Sequence, residues 1–200
     1  MRSGQRRCKA ESCRQTFTPR FNTLEPTCSP SCALEWLRSK QGQEAVAKVK
    51  RQETRVGRER LKTHPQLTKE AQREFNKWIR LRDKDMPCIT CGRHDWEIPD
   101  TWVGGKWDAG HFKTIGGFPE LRFQPSNCHK QCKSCNSAGP HKAEEVRVAY
   151  QENILTRISQ AQLDWIEGPH NPNKHTHDEL REIKRHYQQL IRESASRTAA

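Results

Sequence analysis

The chain is poor in apolar residues and contains no long apolar run. Only 32% of its 200 residues are hydrophobic, and a mean hydropathy of −1.07 leaves little material for a large core. A membrane-spanning helix needs roughly 18 or more consecutive apolar residues, and the sequence offers no such stretch. We also expect no signal peptide. These absences argue against a membrane protein and predict a cytoplasmic one.

Nine cysteines are many for a chain expected in a reducing compartment, where disulfides are rare. Eight of them form four close pairs, and close pairs of thiolates are typical zinc ligands. We therefore predict two structural Zn²⁺ sites of four cysteines each. The N-terminal site comprises Cys8, Cys13, Cys28 and Cys32, and the core site comprises Cys88, Cys91, Cys132 and Cys135. The ninth, Cys128, is expected to be a buried apolar side chain and not a ligand.

Residues 1–37 are predicted to form a small zinc knuckle. Ser29 and Pro30 are suited to open a short helix that carries Cys32 past the metal. Most sites of this kind hold a mini-domain together, and we favour that role over direct reading of DNA. A disulfide is the less favoured alternative because of the expected compartment.

The positive charge indicates a polyanionic partner. The formal net charge is +12 and the pI is about 9.5, and Lys or Arg side chains that neutralise phosphates release condensed counterions. Charge alone does not distinguish DNA from RNA or from an acidic membrane surface. An inert, solvated basic surface is the alternative.

Residues 38–65 are predicted to be a basic linker. Nine Lys or Arg and three Glu lie between positions 38 and 62, and no continuous apolar stripe accompanies them. A helix packed against the rest of the protein is therefore not expected. The segment either becomes helical on DNA or serves as a solvated spacer.

The remainder is predicted to be a zinc-stapled core, residues 66–142, followed by C-terminal helices, residues 143–194, and a frayed tail, residues 195–200. A helix capped by Thr68 and ending near Arg82 leads into the core and buries its aromatic residues. Thr176 and Glu179 fit a capping box that opens the last helix. The apolar face of that helix packs either onto the core or against a second copy, so a homodimer is possible. The expected fold class is small α+β.

A closed site of four cysteines leaves zinc no open coordination position, so that ion is scaffold. Catalysis would need a second, harder ion. The nearby oxygen and nitrogen donors are Asp108, His111, Asn127, His129, Asn136 and His141. A zinc knuckle with an incidental histidine is the non-catalytic alternative.

His111, Asn127 and Asn136 lie inside the C-x-x-C…C-x-x-C frame. Their order and approximate spacing resemble the HNH nucleases and their ββα-metal fold. The resemblance implies that His111 is the general base, that Asn127 orients it, and that Asn136 binds a catalytic Mg²⁺ or Mn²⁺. It thus makes His111 and Asn127 the catalytic residues.

The first metal ligand departs from the HNH pattern. Many members place Asp or His directly before the general base, where this chain has Gly110. We choose Asp108 as the ligand because a carboxylate suits Mg²⁺ or Mn²⁺; a water or a distant residue is the alternative. Asn136, which stands where His is frequent, favours an oxygen-preferring ion over catalytic zinc.

Nearly the whole chain resembles, more narrowly, the NinG or Rap family of recombination proteins from lambdoid phages. The resemblance implies a structure-selective endonuclease acting on branched DNA such as Holliday junctions and D-loops. The matching stretches are Arg6-Arg7-Cys8-Lys9, Cys28-Ser29-Pro30, Pro87-Cys88-Ile89-Thr90-Cys91-Gly92, Trp107-Asp108-Ala109-Gly110-His111, Leu121-Arg122-Phe123, His129-Lys130-Gln131-Cys132 and Cys135-Asn136.

DNA contacts are expected from cations close to the proposed centre. The candidates are Lys113, Arg122, Lys130 and Lys133, each of which could instead be a solvated surface charge. His129 is expected at a phosphate or on the surface. Two other functions stay open: a non-catalytic, zinc-stapled DNA-binding adaptor, and an HNH endonuclease that cuts linear duplex at a defined sequence.

Overall fold

The computed structural model describes residues 4–21, 24–100 and 105–198, and every structural statement below refers to these. The chain divides into two compact units, Met1–Lys62 and Thr63–Ala200. The described residues form seven α-helices and two small antiparallel sheets, so the α+β class is confirmed. None of the described helices has the length and apolarity to cross a membrane.

The first unit is a small knuckle followed by two helices. Strands β1 (Arg6–Arg7) and β2 (Thr16–Phe17) pair antiparallel. Helix α1 (Pro30–Arg38) starts where the sequence predicts, because the Ser29 side chain accepts a hydrogen bond from the Cys32 backbone N–H at 3.3 Å.

Helix α2 (Lys40–Arg60) occupies most of the segment that the sequence marks as a basic linker. Ser39 ends α1 and caps α2, its side chain accepting from the Gly42 N–H at 3.2 Å. A Cβ at position 42 would lie 2.0 Å from the Trp36 carbonyl oxygen, so only glycine fits this close approach. Gly42 is also the one described residue of α2 that is buried. The helix thus forms without burying an apolar face, as its composition indicates.

The second unit is built around helices α3 (His64–Arg82) and α7 (His177–Thr198). Phe75 lies at the centre of their contact, with its ring 5.0 Å from that of Tyr187 in an edge-on arrangement. Lys184 and Glu70 form an ion pair at 2.8 Å beside it. The apolar face of α7 is therefore used within the chain. The buried apolar cluster around the contact of α3 and α7 comprises Leu67, Ala71, Phe75, Ile79, Ala109, Phe123, Cys128, Leu180 and Tyr187.

The ends of these two helices differ from the sequence prediction. Helix α3 begins at His64 and not after Thr68, because Thr63 forms a capping box with Gln66 and Pro65 suits the first turn. The capping box of Thr176 and Glu179 is confirmed, with reciprocal hydrogen bonds of 2.6 and 3.3 Å. Helix α7 then continues to residue 198, beyond the predicted end near Glu193; residues 199 and 200 lie outside the described residues.

A two-stranded hairpin lies against α3. Strands β3 (Trp107–His111) and β4 (Cys128–Cys132) pair antiparallel, with His111 opposite Cys128 and Asp108 opposite Gln131. Arg82, at the end of α3, donates to the carbonyl oxygen of Cys128 at 2.9 Å and so ties the helix to β4.

Three further helices follow the hairpin. Tyr150 joins them to it by donating to the Gly110 carbonyl oxygen at 3.0 Å, on the side of the hairpin away from α3. A second apolar cluster underlies this contact and includes Ile89, Leu121, Ile154 and Ile166. The helices are α4 (Lys133–Asn136), α5 (Pro140–Asn153) and α6 (Gln160–Glu167).

Candidate active site

Both predicted cysteine sets converge, each with its sulfur atoms within 4.8 Å of one another. Zinc–sulfur bonds of about 2.3 Å in a tetrahedron place sulfurs about 3.8 Å apart. The Sγ atoms of Cys91 and Cys132 are 3.7 Å apart, and those of Cys28 and Cys32 are also 3.7 Å apart. Both clusters therefore fit zinc. The converging sets are Cys8, Cys13, Cys28 and Cys32, and Cys88, Cys91, Cys132 and Cys135.

The core cluster is surrounded by donors suited to thiolates. The Cys132 backbone N–H lies 3.3 Å from the Cys88 sulfur, and the Arg93 guanidinium donates to the Cys91 sulfur at 3.3 Å. Arg93 also donates to Ser134 at 3.0 Å, which fixes its position over the cluster. Four thiolates around one zinc would carry excess negative charge, part of which Arg93 would offset.

Cys128 lies outside both clusters and is fully buried. Burial raises the pKa of its thiol, so it stays protonated. The interpretation of this ninth cysteine as an apolar core residue is confirmed.

The core cluster positions the neighbouring polar residues. Cys132 is the last residue of β4 and Cys135 lies in α4, directly before Asn136. A zinc ion bound here would join this corner to the separate segment carrying Cys88 and Cys91. The direction of α4, and with it the position of Asn136, depends on the cluster.

His111 is held at the end of β3 by one hydrogen bond. Its Nε2 lies 2.9 Å from the Arg122 carbonyl oxygen, which only accepts, so Nε2 carries the proton and Nδ1 keeps its lone pair. Burial lowers the pKa of His111, which keeps the ring neutral. The Cys128 sulfur lies 3.7 Å from Nδ1.

Asn127 braces the loop from 112 to 127. Its side chain is fully buried; Oδ1 accepts from the Lys113 N–H at 2.8 Å, while Nδ2 donates to the carbonyl oxygens of Lys113 at 3.1 Å and Leu121 at 3.2 Å. The same loop carries Arg122, whose carbonyl oxygen holds His111. Asn127 and His111 are therefore linked through hydrogen bonds to the same loop.

Asp108 and Asn136 form a pair of oxygen-bearing side chains. Asn136 Nδ2 donates to Asp108 Oδ2 at 3.1 Å. In octahedral coordination with bonds of about 2.0–2.1 Å, adjacent oxygen ligands lie about 3 Å apart. Rotation of the Asn136 amide by half a turn would present its oxygen beside the carboxylate at that separation. This donor set fits Mg²⁺ or Mn²⁺.

His111 and the pair formed by Asp108 and Asn136 lie on opposite faces of β3. Residues three apart on a strand point to opposite sides, so His111 faces α3 while Asp108 faces the side of α5. Among the described residues β3 pairs only with β4, and its other edge borders a cleft of about 610 Å³. His111 and Asn136 both line this cleft, together with residues of α3 and α5.

The structure explains why glycine precedes the histidine. A Cβ at Gly110 would lie 1.9 Å from the Gln131 amide oxygen, so the Gln131 side chain occupies the space that an aspartate or histidine would need. Gln131 donates to the Thr90 hydroxyl at 2.7 Å and also lines the cleft. Gln131 is not among the metal donors that the sequence indicates. Its pairing opposite Asp108 is the signal that could have found it.

His129 is buried, so its predicted place at a phosphate or on the surface is wrong. It is 2% exposed, and its Nδ1 lies 3.1 Å from the Tyr150 hydroxyl, which in turn donates to the Gly110 carbonyl oxygen. Burial lowers the pKa of His129 to about 3. The imidazole therefore serves as a neutral link between β3, β4 and α5.

The four DNA-binding candidates have different surroundings. Lys130 is 3% exposed, and its Nζ donates to the Lys84 carbonyl oxygen at 2.8 Å. Its ammonium group is therefore bound inside the protein and not presented at the surface. Lys113 is half-buried beside Phe112, and Lys133 begins α4. Arg122 lies 3.4 Å from Gln72 and borders a surface groove.

That groove runs along the solvent side of α3. Lys69, Arg73, Lys77 and Arg80 recur at intervals of four, four and three residues and so share one face of the helix. We call these four residues the α3 basic face. Three of them line a groove of about 700 Å³ that shares Gln72 and Asn76 with the cleft. The helical spacing of the cations was visible in the sequence.

Comparison with known proteins gives a match over nearly the whole chain. A family model described as "Bacteriophage Lambda NinG protein" matches residues 1–197. The chain is 37% identical over 202 residues to "Protein ninG" of Escherichia phage lambda, covering 94% of this chain and 93% of that relative. It is 37% identical over 205 residues to "Protein ninG" of Salmonella phage P22, covering 96% and 95%. No solved structure matches the chain significantly.

Proposed function

The chain belongs to the NinG family of lambdoid phages, and from that premise we propose that it is a metal-dependent endonuclease that cuts branched DNA recombination intermediates. The observation that carries the proposal is the cleft at the edge of β3. This cleft is lined by His111, a neutral imidazole with its proton fixed on Nε2, and by Asn136, which donates a hydrogen bond to the Asp108 carboxylate. Hydrolysis of a phosphodiester needs a base and a hard cation of this kind.

His111 is the general base of the proposed reaction. Its Nδ1 takes a proton from a water molecule as the water oxygen forms a bond to phosphorus, and the bond from phosphorus to the 3′ oxygen breaks. The 3′ oxygen leaves with a proton from solvent, which yields a 5′-phosphate and a 3′-hydroxyl. When bound, Mg²⁺ or Mn²⁺ stabilises the charge that develops on the phosphate and on the leaving oxygen.

Asp108 and Asn136 would hold that cation, and Asn127 keeps the base in place. Because Arg122 fixes Nε2–H, the ring presents the same nitrogen in every turnover. Zinc at the core cysteine cluster is structural in this scheme and takes no part in the chemistry.

The α3 basic face is the proposed path of the DNA backbone toward the cleft. Its groove adjoins the cleft through Gln72 and Asn76, and contacts from Lys and Arg to phosphates supply most of a sequence-independent affinity. A second array of cations lies on α2, where Lys50, Arg51, Arg55 and Arg58 border one groove. The preference for branched substrates rests on the family resemblance, and we place the protein in the host cytoplasm, where thiolates stay reduced.

Synthetic DNA separates this function from its alternatives. The zinc-loaded chain is incubated with a four-way junction and with linear duplex of the same sequence, with and without Mg²⁺ or Mn²⁺. We expect metal-dependent nicks in the junction and none from a His111→Ala variant that binds the junction equally well. Binding without cleavage would establish an adaptor, and cleavage of the linear duplex at one sequence would establish a sequence-specific enzyme.

A further inference from the structure

Gln131 lies where the cation proposed above lacks a ligand. The residue directly before the base is glycine, so the backbone contributes no side chain at that point of β3. The space is filled from the opposite strand, because the Gln131 amide oxygen is the atom closest to the missing Cβ of Gly110, at 1.9 Å. An oxygen atom therefore stands where a metal-binding side chain at position 110 would begin.

The direction of this oxygen is set by Thr90. Gln131 Nε2 donates to the Thr90 hydroxyl oxygen at 2.7 Å. An amide nitrogen and oxygen point about 120° apart, so a nitrogen held by Thr90 turns the oxygen to the other side, over Gly110. Gln131 is 4% exposed, yet its side chain lines the cleft. The side chain is thus both fixed and within reach of a ligand in the cleft.

Gln131 also shares a face with the other two oxygen donors. It lies directly opposite Asp108 in the antiparallel ladder, and opposed residues have their Cβ atoms about 5 Å apart on one side of the sheet. Asp108 in turn accepts a hydrogen bond from Asn136 at 3.1 Å. One carboxylate and two carboxamides, from β3, β4 and α4, therefore lie on the same face of the hairpin.

We infer that Gln131 is a third ligand of the catalytic cation, supplying through Oε1 the coordination position that Gly110 leaves empty. This inference rests on the proposed function. Three neutral or singly charged oxygen donors leave an octahedral ion room for water and a phosphate oxygen, as Mg²⁺ and Mn²⁺ sites require. Gly110 and Gln131 then form a matched pair in which the small residue makes room for the large one.

Direct measurement of Mn²⁺ binding tests this role without relying on cleavage. The zinc-loaded full chain is titrated with Mn²⁺, and free Mn²⁺ is followed by electron paramagnetic resonance. We expect Gln131→Leu, of similar size but without the oxygen, to weaken binding by about tenfold or more, since even removal of a residue that supports a metal ligand costs roughly 10–100-fold. Gln131→Glu, with a carboxylate at the same place, should tighten binding. Gln189→Leu, on the exposed side of α7, is the matched control and should bind as wild type does.

A paired exchange distinguishes a ligand from a merely structural residue. Gln131→Ala weakens binding, and Gly110→Asp placed in the same chain has the vacated space for its side chain. We expect the double variant to regain most of the lost Mn²⁺ affinity. If Gln131 only supported the hairpin, the double variant would stay as weak as Gln131→Ala, and that result overturns the inference.

The outcomes also separate this inference from the function on which it rests. If Gln131→Leu binds Mn²⁺ as tightly as wild type and Asp108→Ala does not bind it, Gln131 is not a ligand of the cation, and the nuclease proposal still stands. Absence of Mn²⁺ binding and of cleavage by the wild-type chain would overturn both. Circular dichroism of each variant establishes that it is folded before binding is compared.

Discussion

The Nε2 atom of His111 lies 2.9 Å from the carbonyl oxygen of Arg122. The contact crosses from the end of β3 to a loop that Asn127 holds from inside. It sets which nitrogen carries the proton, and burial sets the charge of the ring. The tautomer of this histidine is therefore set by a backbone carbonyl, and its charge by burial.

Replacing His111 should remove the chemistry and leave DNA binding. We expect His111→Ala to lower the single-turnover cleavage rate by about 100- to 10,000-fold, the usual contribution of a general base. Because the pKa of His111 is lowered from 6.5, the wild-type rate should rise with pH below 6.5 and be level above it. His186→Ala, an exposed histidine of α7, is the control. A rate that keeps rising tenfold per unit above pH 7 would assign the base to another group.

Asn127→Asp should damage both stability and rate. The new carboxylate cannot donate to the carbonyl oxygens of Lys113 and Leu121, and it is buried against them. We expect the free energy of unfolding in urea to fall by about 3 kcal/mol, and cleavage by folded protein to fall about 100-fold as His111 loses its fixed position. Asn171→Asp, in an exposed loop, should change neither. Normal cleavage by a destabilised Asn127→Asp protein would separate the loop from catalysis.

The stability of the chain should depend on pH through His129. The pKa of this residue is about 3 when folded, against 6.5 when solvated. The unfolded chain therefore binds a proton first, and stability present above pH 6.5 is lost as the pH falls toward 3, by about 1.4 kcal/mol per pH unit at most. His129→Gln removes this titration. Urea unfolding from pH 7 to pH 4 should show a smaller slope in the variant, while effects of acid on zinc ligands are common to both proteins.

Elemental analysis should return two zinc ions per chain. Cys32→Ser should reduce the content to one, and the retained core zinc should keep the hairpin folded. Arg93→Ala, which removes the cation beside the Cys91 sulfur, should weaken the core zinc by about 10- to 100-fold in competition with a chelator. Arg185→Ala is the control for loss of an exposed arginine. A single zinc in the wild-type chain would mean that one cysteine cluster binds no metal.

The α3 basic face should be visible in the salt dependence of DNA binding. Lys69→Ala combined with Arg73→Ala removes two cations from the groove. Each cation that no longer neutralises a phosphate reduces the slope of log affinity against log salt by about 0.9. The control carries Arg185→Ala and Arg192→Ala, which remove the same charge from the exposed side of α7. Equal slopes in the two double variants would place the DNA elsewhere.

Local patterns were sufficient for part of this structure. The cysteine spacing predicted both cysteine clusters because four zinc ligands in two close pairs constrain the geometry by themselves. The capping box at Thr176 was predictable for the same reason, since its partner is three residues away. Helix α3 was also predicted, but its first residue was not. Thr63 and Pro65 form a more favourable N-terminus than Thr68 does.

Other features depend on contacts between distant residues. The position of Gln131 over Gly110 follows from the register of two strands that are joined by a long loop. His129 is polar and close to cations in sequence, yet Tyr150, from a later helix, covers it. The separation of Asp108 and His111 onto two faces of β3 follows from strand geometry, but only once the strand is known to include both residues.

The junction at Ser39 fixes how the cations of α2 are presented. A helix of 21 residues is about 30 Å long, close to the rise of one turn of duplex DNA. Its capped start follows α1 directly after Ser39, and its side chains repeat every turn, so the cations of α2 stand at fixed intervals along one rod and not as independent charges.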